Sequence, residues 1–293
     1  MKVQLPDGPL SGVIELPISK SIANRYLIIS ALAGKTHKLS GSLPEDVEVL
    51  RSVLRSKSSE FDIGMAGTAM RFLTAYYALQ AGMSVVLTGA ERMKQRPVGE
   101  LVDALVELGA EIEFLEENGF PPIKISGKRL IGRDVSVSAS VSSQFVSALM
   151  MIGPMMEKGL QINLEGKVLS RPYIELTADC MRICGADVSI DKNSISIKSG
   201  VYTIPETSIE SDWSAASYFY ALAAARPNSK FLLKGLQLDS SQGDSTLAKW
   251  FAEIGVTSAQ KQNGVEIESG AEIQLPEEIS FTDNPDLAQT FAF

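Results

Sequence analysis

Three stretches of the chain share one arrangement of apolar and polar positions. LVDALVELGAEIEF followed by FPPIKISG, IELTADCMRICGADVSI followed by NSISIKSG, and LAKWFAEIGVTSA followed by NGVEIESG each begin with apolar residues at helical spacing. Each then passes through a glycine into an alternating run, a turn and a second alternating run. The pattern predicts amphipathic helix, glycine stop, strand, turn, strand. The stop glycines are Gly109, Gly185 and Gly255, 76 and 70 residues apart. That period is longer than those of solenoids and propellers. It points to a βαβ-type unit used several times, each burying its helix against its own sheet. DVEVLRSVLR (46–55) reads as the start of a fourth, shortened copy that has lost its glycine. No Pro/Ser-rich linker separates the copies, so a domain boundary must be a short crossing of the chain.

The segment LPISKSIANRYLIISAL (16–32) predicts another helix, with Ser21 as N-cap, Ile22, Tyr26, Ile29 and Leu32 at roughly helical spacing, and Gly34 as the C-terminal stop. Lys20 and Arg25 then stand at the end of the helix where the macrodipole is positive, and something negative should compensate them. For this helix alone two readings stay open: both cations point into water, or they form a socket for an anion. Four further helix starts repeat the chemistry. GMAGTAMRFLTAYYAL (64–79) places a Gly-Ala-Gly loop and Thr68 before a helix with Arg71 in its first turn. ERMKQRPVGELVDAL (91–105) gathers Arg92, Lys94 and Arg96 before a helix with Pro97 at a first-turn position. ASVSSQFVSALMM (139–151) offers Ser142, Ser143 and Gln144, and LSRPYIELTADCM (169–181) offers Ser170, Arg171 and Tyr173. Hydroxyls, amides, cations and bare backbone N–H groups at helix starts are the means of phosphate and carboxylate recognition. Each start taken singly reads as an ordinary cap. Five in one chain, with neither GxxxxGK[ST] nor GxGxxG, favour a small polyanionic ligand over a nucleotide.

Composition narrows the picture. The 293 residues are 45% hydrophobic and 21% charged, a globular profile long enough for two domains. A net charge of −8 makes nucleic acid and anionic membrane unfavourable partners, so any anion site is a local basic cluster in an acidic protein. The N-terminus lacks an apolar signal region, and the apolar run at 148–156 is broken by Gly153 and Pro154, which reads as a cytoplasmic chain. Cys180 and Cys184 lie four apart on a predicted helix without a third ligand to complete a metal site, and read as buried thiols. The one histidine, His37, reads as solvated in a polar turn, which leaves little for histidine base catalysis.

SKSIANR, AGTAMRFLTA, RMKQRPVGELVDAL, SVSSQF, LSRPYIELT and DNPDLAQT occur in that order, and together they resemble the EPSP synthase (3-phosphoshikimate 1-carboxyvinyltransferase) family of enolpyruvyl transferases. The resemblance spans essentially the whole chain. It implies an α/β fold of two similar domains, an inside-out α/β barrel of βαβαββ units with helices inside and sheets outward. The activity implied is transfer of the enolpyruvyl group of phosphoenolpyruvate to the 5-hydroxyl of shikimate 3-phosphate, in the shikimate pathway of aromatic amino acid biosynthesis. Partners are these two small anions, with no cofactor and no metal, and the chain is expected to be a monomer. By the same resemblance Lys20 contacts phosphoenolpyruvate and the reacting hydroxyl, while Ser21 and Arg25 hold shikimate 3-phosphate. Gly67, Thr68 and Arg96 line the phosphoenolpyruvate pocket, where glyphosate binds in this family. Ser142, Ser143, Gln144, Ser170 and Tyr173 match the shikimate-phosphate shell, with Gln144 between the two ligands. Asp286 matches the carboxylate that takes the proton from the hydroxyl. The alternative within the same fold, UDP-N-acetylglucosamine enolpyruvyl transferase, uses a loop cysteine, whereas both cysteines here lie within a predicted helix, which makes it the second reading.

Three departures from the family pattern stand out. Met65 replaces a common Asn, Phe72 replaces a common Pro, and the stretch from Asp46 to Gly64 is short, which is expected to trim a hairpin. PDLAQTFAF stops nine residues into an apparent helix, so the chain reads as C-terminally truncated relative to the family, with a second domain that is incomplete. The missing part is expected to carry further cations, leaving the 293 residues inactive alone; a natural deletion would leave a non-catalytic anion-binding remnant. The expected domains are 19–209, with three units, and 1–18 plus 210–293, discontinuous in sequence. The two crossings are expected to lie side by side at a hinge.

Overall fold

The computed structural model describes residues 8–291 apart from 37, 139–141, 167, 207 and 274–277. His37, Ser140 and Val141 of the SVSSQF motif, and the N-terminal residues read for a signal segment therefore lie outside the described residues. Strand β1 (Ser11–Glu15) comes first, followed by helices α1 (Lys20–Leu32) and α2 (Glu45–Arg55). One repeat then runs β2 (Glu60–Asp62), α3 (Gly67–Ala78), β3 (Ser84–Thr88), a short α4 (Glu91–Lys94), α5 (Gly99–Glu107), β4 (Glu111–Phe114) and β5 (Ile123–Ser126). The next runs β6 (Asp134–Ser138), α6 (Ser143–Ile152), β7 (Leu160–Glu165), α7 (Arg171–Ile183), β8 (Val188–Ile190) and β9 (Ser194–Ile197). The last part comprises α8 (Trp213–Ala225), β10 (Lys230–Lys234), α9 (Leu247–Glu253), β11 (Val256–Lys261), β12 (Gly264–Ser269) and α10 (Ala288–Phe291).

The repeat read from the sequence is the repeat of the fold. Three four-stranded sheets have the orders β2-β3-β5-β4, β6-β7-β9-β8 and β1-β10-β12-β11. In each, the first two strands pair in parallel, as at Phe61 with Leu87, Val135 with Ile162 and Ile14 with Leu233, and the other pairings are antiparallel. A parallel pair needs a crossover, supplied by α3 in the first sheet and α6 in the second. In the third, β1 reaches β10 from far upstream in the chain. The stop glycines Gly109, Gly185 and Gly255 have φ of +102°, +85° and +103°, the left-handed conformation that ends a helix at no steric cost.

The chain divides into two compact units: Lys20–Ser208, and the residues up to Ser19 together with those from Ile209 onward. Within the latter, the outgoing and returning segments pair. Ser19 N–H donates to the Glu210 carbonyl (2.8 Å), Asp212 N–H donates to the Pro17 carbonyl (3.0 Å), and Ile18 forms an antiparallel bridge with Ser211. The core of this unit gathers Trp213, Tyr220, Phe231, Phe251 and Val265 beneath the third sheet. In Lys20–Ser208 the helices are central. All of α6 from Phe145 on and most of α1 and α3 are buried, while β5, β6 and β7 alternate buried and more exposed positions. A helix apolar on all sides belongs inside a core, and a sheet alternating by twos covers it on one face.

Two expectations are corrected here. Residues 46–55 do not open a fourth helix–strand–strand copy: α2 leads into the three-residue β2, which joins β3 in the next repeat. Among the described residues two four-stranded sheets belong to 20–208 and α1 and α2 have no sheet of their own, which fits the hairpin expected to be trimmed from the short stretch between Asp46 and Gly64. Ser21 is not the cap of α1, since the helix already includes Lys20. Its other end is as read. Gly34 has φ +66°, its N–H donates to the Ala31 carbonyl, and Lys35 N–H donates to the Ser30 carbonyl, a Schellman closure.

Close packing at the repeat turns is tested at Gly159, which enters β7 with φ +71°. A Cβ there would overlap the Ile197 carbonyl and come within 2.9 Å of Ser199 N, both backbone atoms that cannot step aside. Gly159→Ala is expected to lower unfolding free energy by about 2 kcal/mol or more, measured by urea denaturation. A loss below about 0.5 kcal/mol would mean that this turn is not held against β9.

Candidate functional site

The N-terminal turns of α1, α3, α6 and α7 carry most of the residues singled out above, and two buried arginines tie these turns together. Arg25, 3% exposed, projects from α1. Its Nη1 donates to the Ser21 carbonyl (2.7 Å), its Nη2 to the Tyr173 carbonyl (3.0 Å) and Ser147 Oγ (3.3 Å), and its Nε to Thr177 Oγ1 (2.7 Å). Its guanidinium carbon lies 5.7 Å from the Phe72 ring centroid on α3. Arg25 thereby joins α1, α6, α7 and α3. Thr177 Oγ1 also lies 2.8 Å from Ser147 Oγ and 2.7 Å from the Tyr173 carbonyl.

Arg71, 4% exposed, plays the matching part on α3. Its Nη1 donates to the Gly67 carbonyl (3.0 Å) and its Nη2 to the Pro97 carbonyl (2.7 Å), while its guanidinium lies 6.0 Å from the Phe145 ring centroid on α6. None of the ion pairs among the described residues includes Arg25 or Arg71. Burial lowers the proton affinity of both. Arg71 is pushed down to about 10, by burial first and then by the like charge of Arg96. Both remain cations at neutral pH, compensated by carbonyls, hydroxyls and aromatic faces.

The remaining residues lie at the mouths of these helices. Lys20 opens α1 with a half-exposed side chain, and its Nζ lies 3.4 Å from an Asp46 carboxylate oxygen in the first turn of α2. Asp46 is thus one negative group that compensates Lys20. Gly67 is the first residue of α3 and Thr68 the second, partly buried. Arg96 is partly exposed and lies across Gly67, so closely that a Cβ on Gly67 would be 2.5 Å from its Cζ and Nη2. Its Nη1 reaches the Met65 carbonyl at 3.5 Å. Ser142 caps α6, its Oγ accepting from Gln144 N–H (3.2 Å), and Ser142, Ser143 and Gln144 are all partly exposed. Ser170 caps α7 with a left-handed backbone, φ +54°, and Tyr173 N–H donates to its carbonyl (3.1 Å). A non-glycine residue held there stores strain of the kind found at binding sites.

Asp286 belongs to the other unit. It is exposed, in a 3-10 turn at Pro285–Leu287. That turn is held from beneath by Asp244, 4% exposed, whose carboxylate accepts from Asn284 Nδ2 (3.1 Å) and Ser214 Oγ (2.6 Å). Burial raises the Asp244 carboxyl above its ordinary range, against the lowering effect of these two donors. Ser217 Oγ and Thr290 Oγ1, 2.7 Å apart, fasten the following residues to α8.

Two sequence expectations need correction. Pro97 precedes α5, whose cap is Val98, and offers its carbonyl to Arg71 instead of starting the helix. Arg71 lies in the second turn of α3 and is turned inward, so it does not face a ligand from the first turn. Arg71, Thr177, Asp46 and Asp244 were missed as supporting residues. A signal for Arg71 was available: a cation between Met70 and Phe72 in a helix apolar on all sides must be buried. Among the described residues no group of three His, Cys, Asp or Glu side chains is placed to hold a metal, and no helix is long and apolar enough to cross a membrane.

Helix starts crowded with donors, backed by two buried cations and built on βαβαββ repeats, define a repeat-built α/β protein whose candidate site has the chemistry used to recognise small anions. The family model for EPSP synthase (3-phosphoshikimate 1-carboxyvinyltransferase) matches residues 45–293, and the chain belongs to this family. It is 44% identical over 284 residues to the 3-phosphoshikimate 1-carboxyvinyltransferase of Bacteroides fragilis strain YCH46, covering 96% of this chain and 69% of that one. The enzyme of Colwellia psychrerythraea is 35% identical over 294 residues, covering 89% and 68%. The EPSP synthase structure from Acinetobacter baumannii shares the fold with a TM-score of 0.78 at 21% identity, over 97% of this chain and 71% of that one.

The related transferase with a loop cysteine directs attention to the thiols. Cys180 and Cys184 are buried on and just after α7, and burial pushes their thiols up to about 12 and about 11. Since the thiolate is the reactive species, neither is expected to react with an aromatic disulfide reagent in the native protein, and both should react in denaturant. Fast titration of one thiol without denaturant would contradict this packing.

Proposed function

We propose that the chain transfers the enolpyruvyl group of phosphoenolpyruvate to the 5-hydroxyl of shikimate 3-phosphate, releasing phosphate. Identity of 44% over 96% of the chain to a curated enzyme of that name supports the activity. The observation that carries the site assignment is the seating of Arg96 across Gly67, with Arg71 fixing the carbonyls on either side. In this reading Lys20, Gly67, Thr68, Arg96 and Gln144 receive phosphoenolpyruvate. Lys20, Ser21, Arg25, Ser142, Ser143, Gln144, Ser170, Tyr173 and Asp286 receive shikimate 3-phosphate. Asp286 takes the proton of the 5-hydroxyl, whose oxygen then bonds to the enolpyruvyl carbon, and the cations stabilise the tetrahedral, phosphate-bearing intermediate until phosphate leaves. The exposure of Asp286 on a turn braced by Asp244 supports a base that is positioned yet accessible.

We read the enzyme as a cytoplasmic monomer that works without metal or cofactor and without nucleic acid, and we assign 19–209 to one domain and 1–18 with 210–293 to part of a second. The division at Lys20 and Ser208 supports these boundaries. The chain spans 69% of the length of its Bacteroides fragilis relative, so kinetics belong in a protein that carries the remaining third, and the 293 residues alone are expected to turn over no substrate. The alternative of a non-catalytic remnant is separated by one assay: phosphate release with both substrates present, which a binding protein does not produce.

Lys20→Met and Asp286→Ala are expected to fail differently. Lys20→Met should raise the KM for phosphoenolpyruvate and lower kcat, whereas Asp286→Ala should lower kcat by about 10²-fold or more with little change in KM. Steady-state kinetics with both substrates decide the matter. An Asp286→Ala enzyme within about threefold of wild type removes Asp286 from the catalytic role.

Glyphosate, which occupies the phosphoenolpyruvate site in this family, tests the Gly67 loop. The methyl of Gly67→Ala meets the tip of a flexible side chain, so stability should change by less than about 0.5 kcal/mol while Arg96 is displaced. Wild type should be inhibited. Gly67→Ala should resist with a modest rise in phosphoenolpyruvate KM, because the longer inhibitor tolerates a narrowed, shifted site less well. Equal inhibition with unchanged KM would show that Gly67 and Arg96 do not face this ligand.

A further inference from the structure

Phe72 carries a large aromatic ring into the packing between α1 and α3. It is 1% exposed on α3, and the guanidinium of Arg25 lies over it at 5.7 Å. Arg25 has no carboxylate partner among the described residues. Its donors instead reach Thr177, Ser147 and the carbonyls of Ser21 and Tyr173. The Phe72 ring adds an aromatic contact to these hydrogen bonds and fills the space beside the cation on the α3 side. The Ser21 and Tyr173 carbonyls belong to the opening turns of α1 and α7, the turns that present Lys20, Ser21, Ser170 and Tyr173. Rotation of the guanidinium plane would break both contacts together.

We infer that Phe72 is a positioning residue of the shikimate-phosphate site: its ring seats Arg25, and Arg25 in turn fixes the first turns of α1 and α7 against each other. The inference rests on the reading of Ser21, Arg25 and Tyr173 given above. Phe72 does not touch the ligand, and its effect is confined to shikimate 3-phosphate because Arg25 holds none of the carbonyls around Arg96. Those of Gly67 and Pro97 belong to Arg71, which lies over Phe145 instead.

The test is titration with shikimate 3-phosphate by calorimetry of the same longer protein in which the kinetics are measured, with thermal unfolding recorded for every variant. Phe72→Leu should weaken binding about tenfold, corresponding to about 1.4 kcal/mol, and Phe72→Tyr, which keeps the aromatic face, should bind within about twofold of wild type. Leu73→Ala, an equally buried change one residue along α3, should lower stability without weakening binding. If Phe72→Leu does not fold, Phe72→Met fills the space without a ring and takes its place. Lys20→Met and Tyr173→Phe report on the underlying reading. If the wild-type chain does not bind, or if both of these variants bind as wild type does, the site assignment fails and the inference falls with it. If both weaken binding while Phe72→Leu does not, the site stands and the role of Phe72 is overturned. Equal weakening by Leu73→Ala and Phe72→Leu also overturns it, since the effect is then one of general packing.

Discussion

Two guanidinium groups that have no carboxylate partner among the described residues, buried among the N-terminal turns of four helices, are the constraint on which the rest of unit 20–208 depends. Charge in a protein interior is costly unless it is fully hydrogen-bonded. Arg25 and Arg71 meet that demand with carbonyls at helix starts, the Ser21, Gly67, Tyr173 and Pro97 oxygens. Three of these carbonyls, of Ser21, Gly67 and Tyr173, belong to residues assigned to the ligands, so the arginines and the site cannot be arranged independently. The aromatic faces complete the scheme in crossed fashion. Arg25 of α1 lies over Phe72 of α3, and Arg71 of α3 lies over Phe145 of α6.

The repeats explain how four helix starts come to lie within reach of two side chains. In the sheets β2-β3-β5-β4 and β6-β7-β9-β8, α3 and α6 occupy the same place in the same strand order. They emerge from equivalent loops, and both are buried along nearly their whole length. The glycine stops do the corresponding work at the other end. Positive φ at Gly109, Gly185 and Gly255 turns each outer helix directly into a hairpin, which keeps the repeats compact enough to stack their helices inward. Identical strand order also accounts for β1, which is placed far from its sheet in sequence because the third repeat needs a parallel first strand.

Local features were legible in the sequence, and those set by tertiary contact were not. The helix–glycine–strand–strand grammar reads correctly in all three copies because periodicity and a left-handed glycine are properties of a few neighbouring residues. The motifs carried the family, and Arg96 and Gly67, 29 positions apart in sequence, lie in contact. The failures have physical causes. The cap of α1 was misplaced by a turn boundary, which spacing alone resolves poorly. The partnership of Lys20 with Asp46 depends on how α2 lies against α1. Arg71 was grouped with cations that face a ligand, although it sits between Met70 and Phe72 in a helix buried along nearly its whole length. The spare copy at 46–55 was misread because an amphipathic helix does not show what its following strand will pair with.

The chain carries a net charge of −8, so its general field repels both of the small anions assigned to it. At physiological salt that field is screened over about 8 Å, and what an approaching anion meets is local. At the mouth of unit 20–208 the local groups are the partly exposed Lys20 and Arg96, the N–H groups of the helix starts, and behind them two buried cations that form no ion pair among the described residues. Asp46 offsets Lys20, but the pair is partly solvent-exposed at 3.4 Å and therefore weak enough for a ligand anion to replace. The buried arginines cannot be replaced in this way, because removing either would leave carbonyl groups in the interior without donors. The exposed cations can therefore exchange partners as ligands come and go, while the buried ones hold the geometry and a constant positive potential behind it. At the proposed site that separation suits an acidic protein to ligands bearing both phosphate and carboxylate, recognised through shape and position instead of through overall charge.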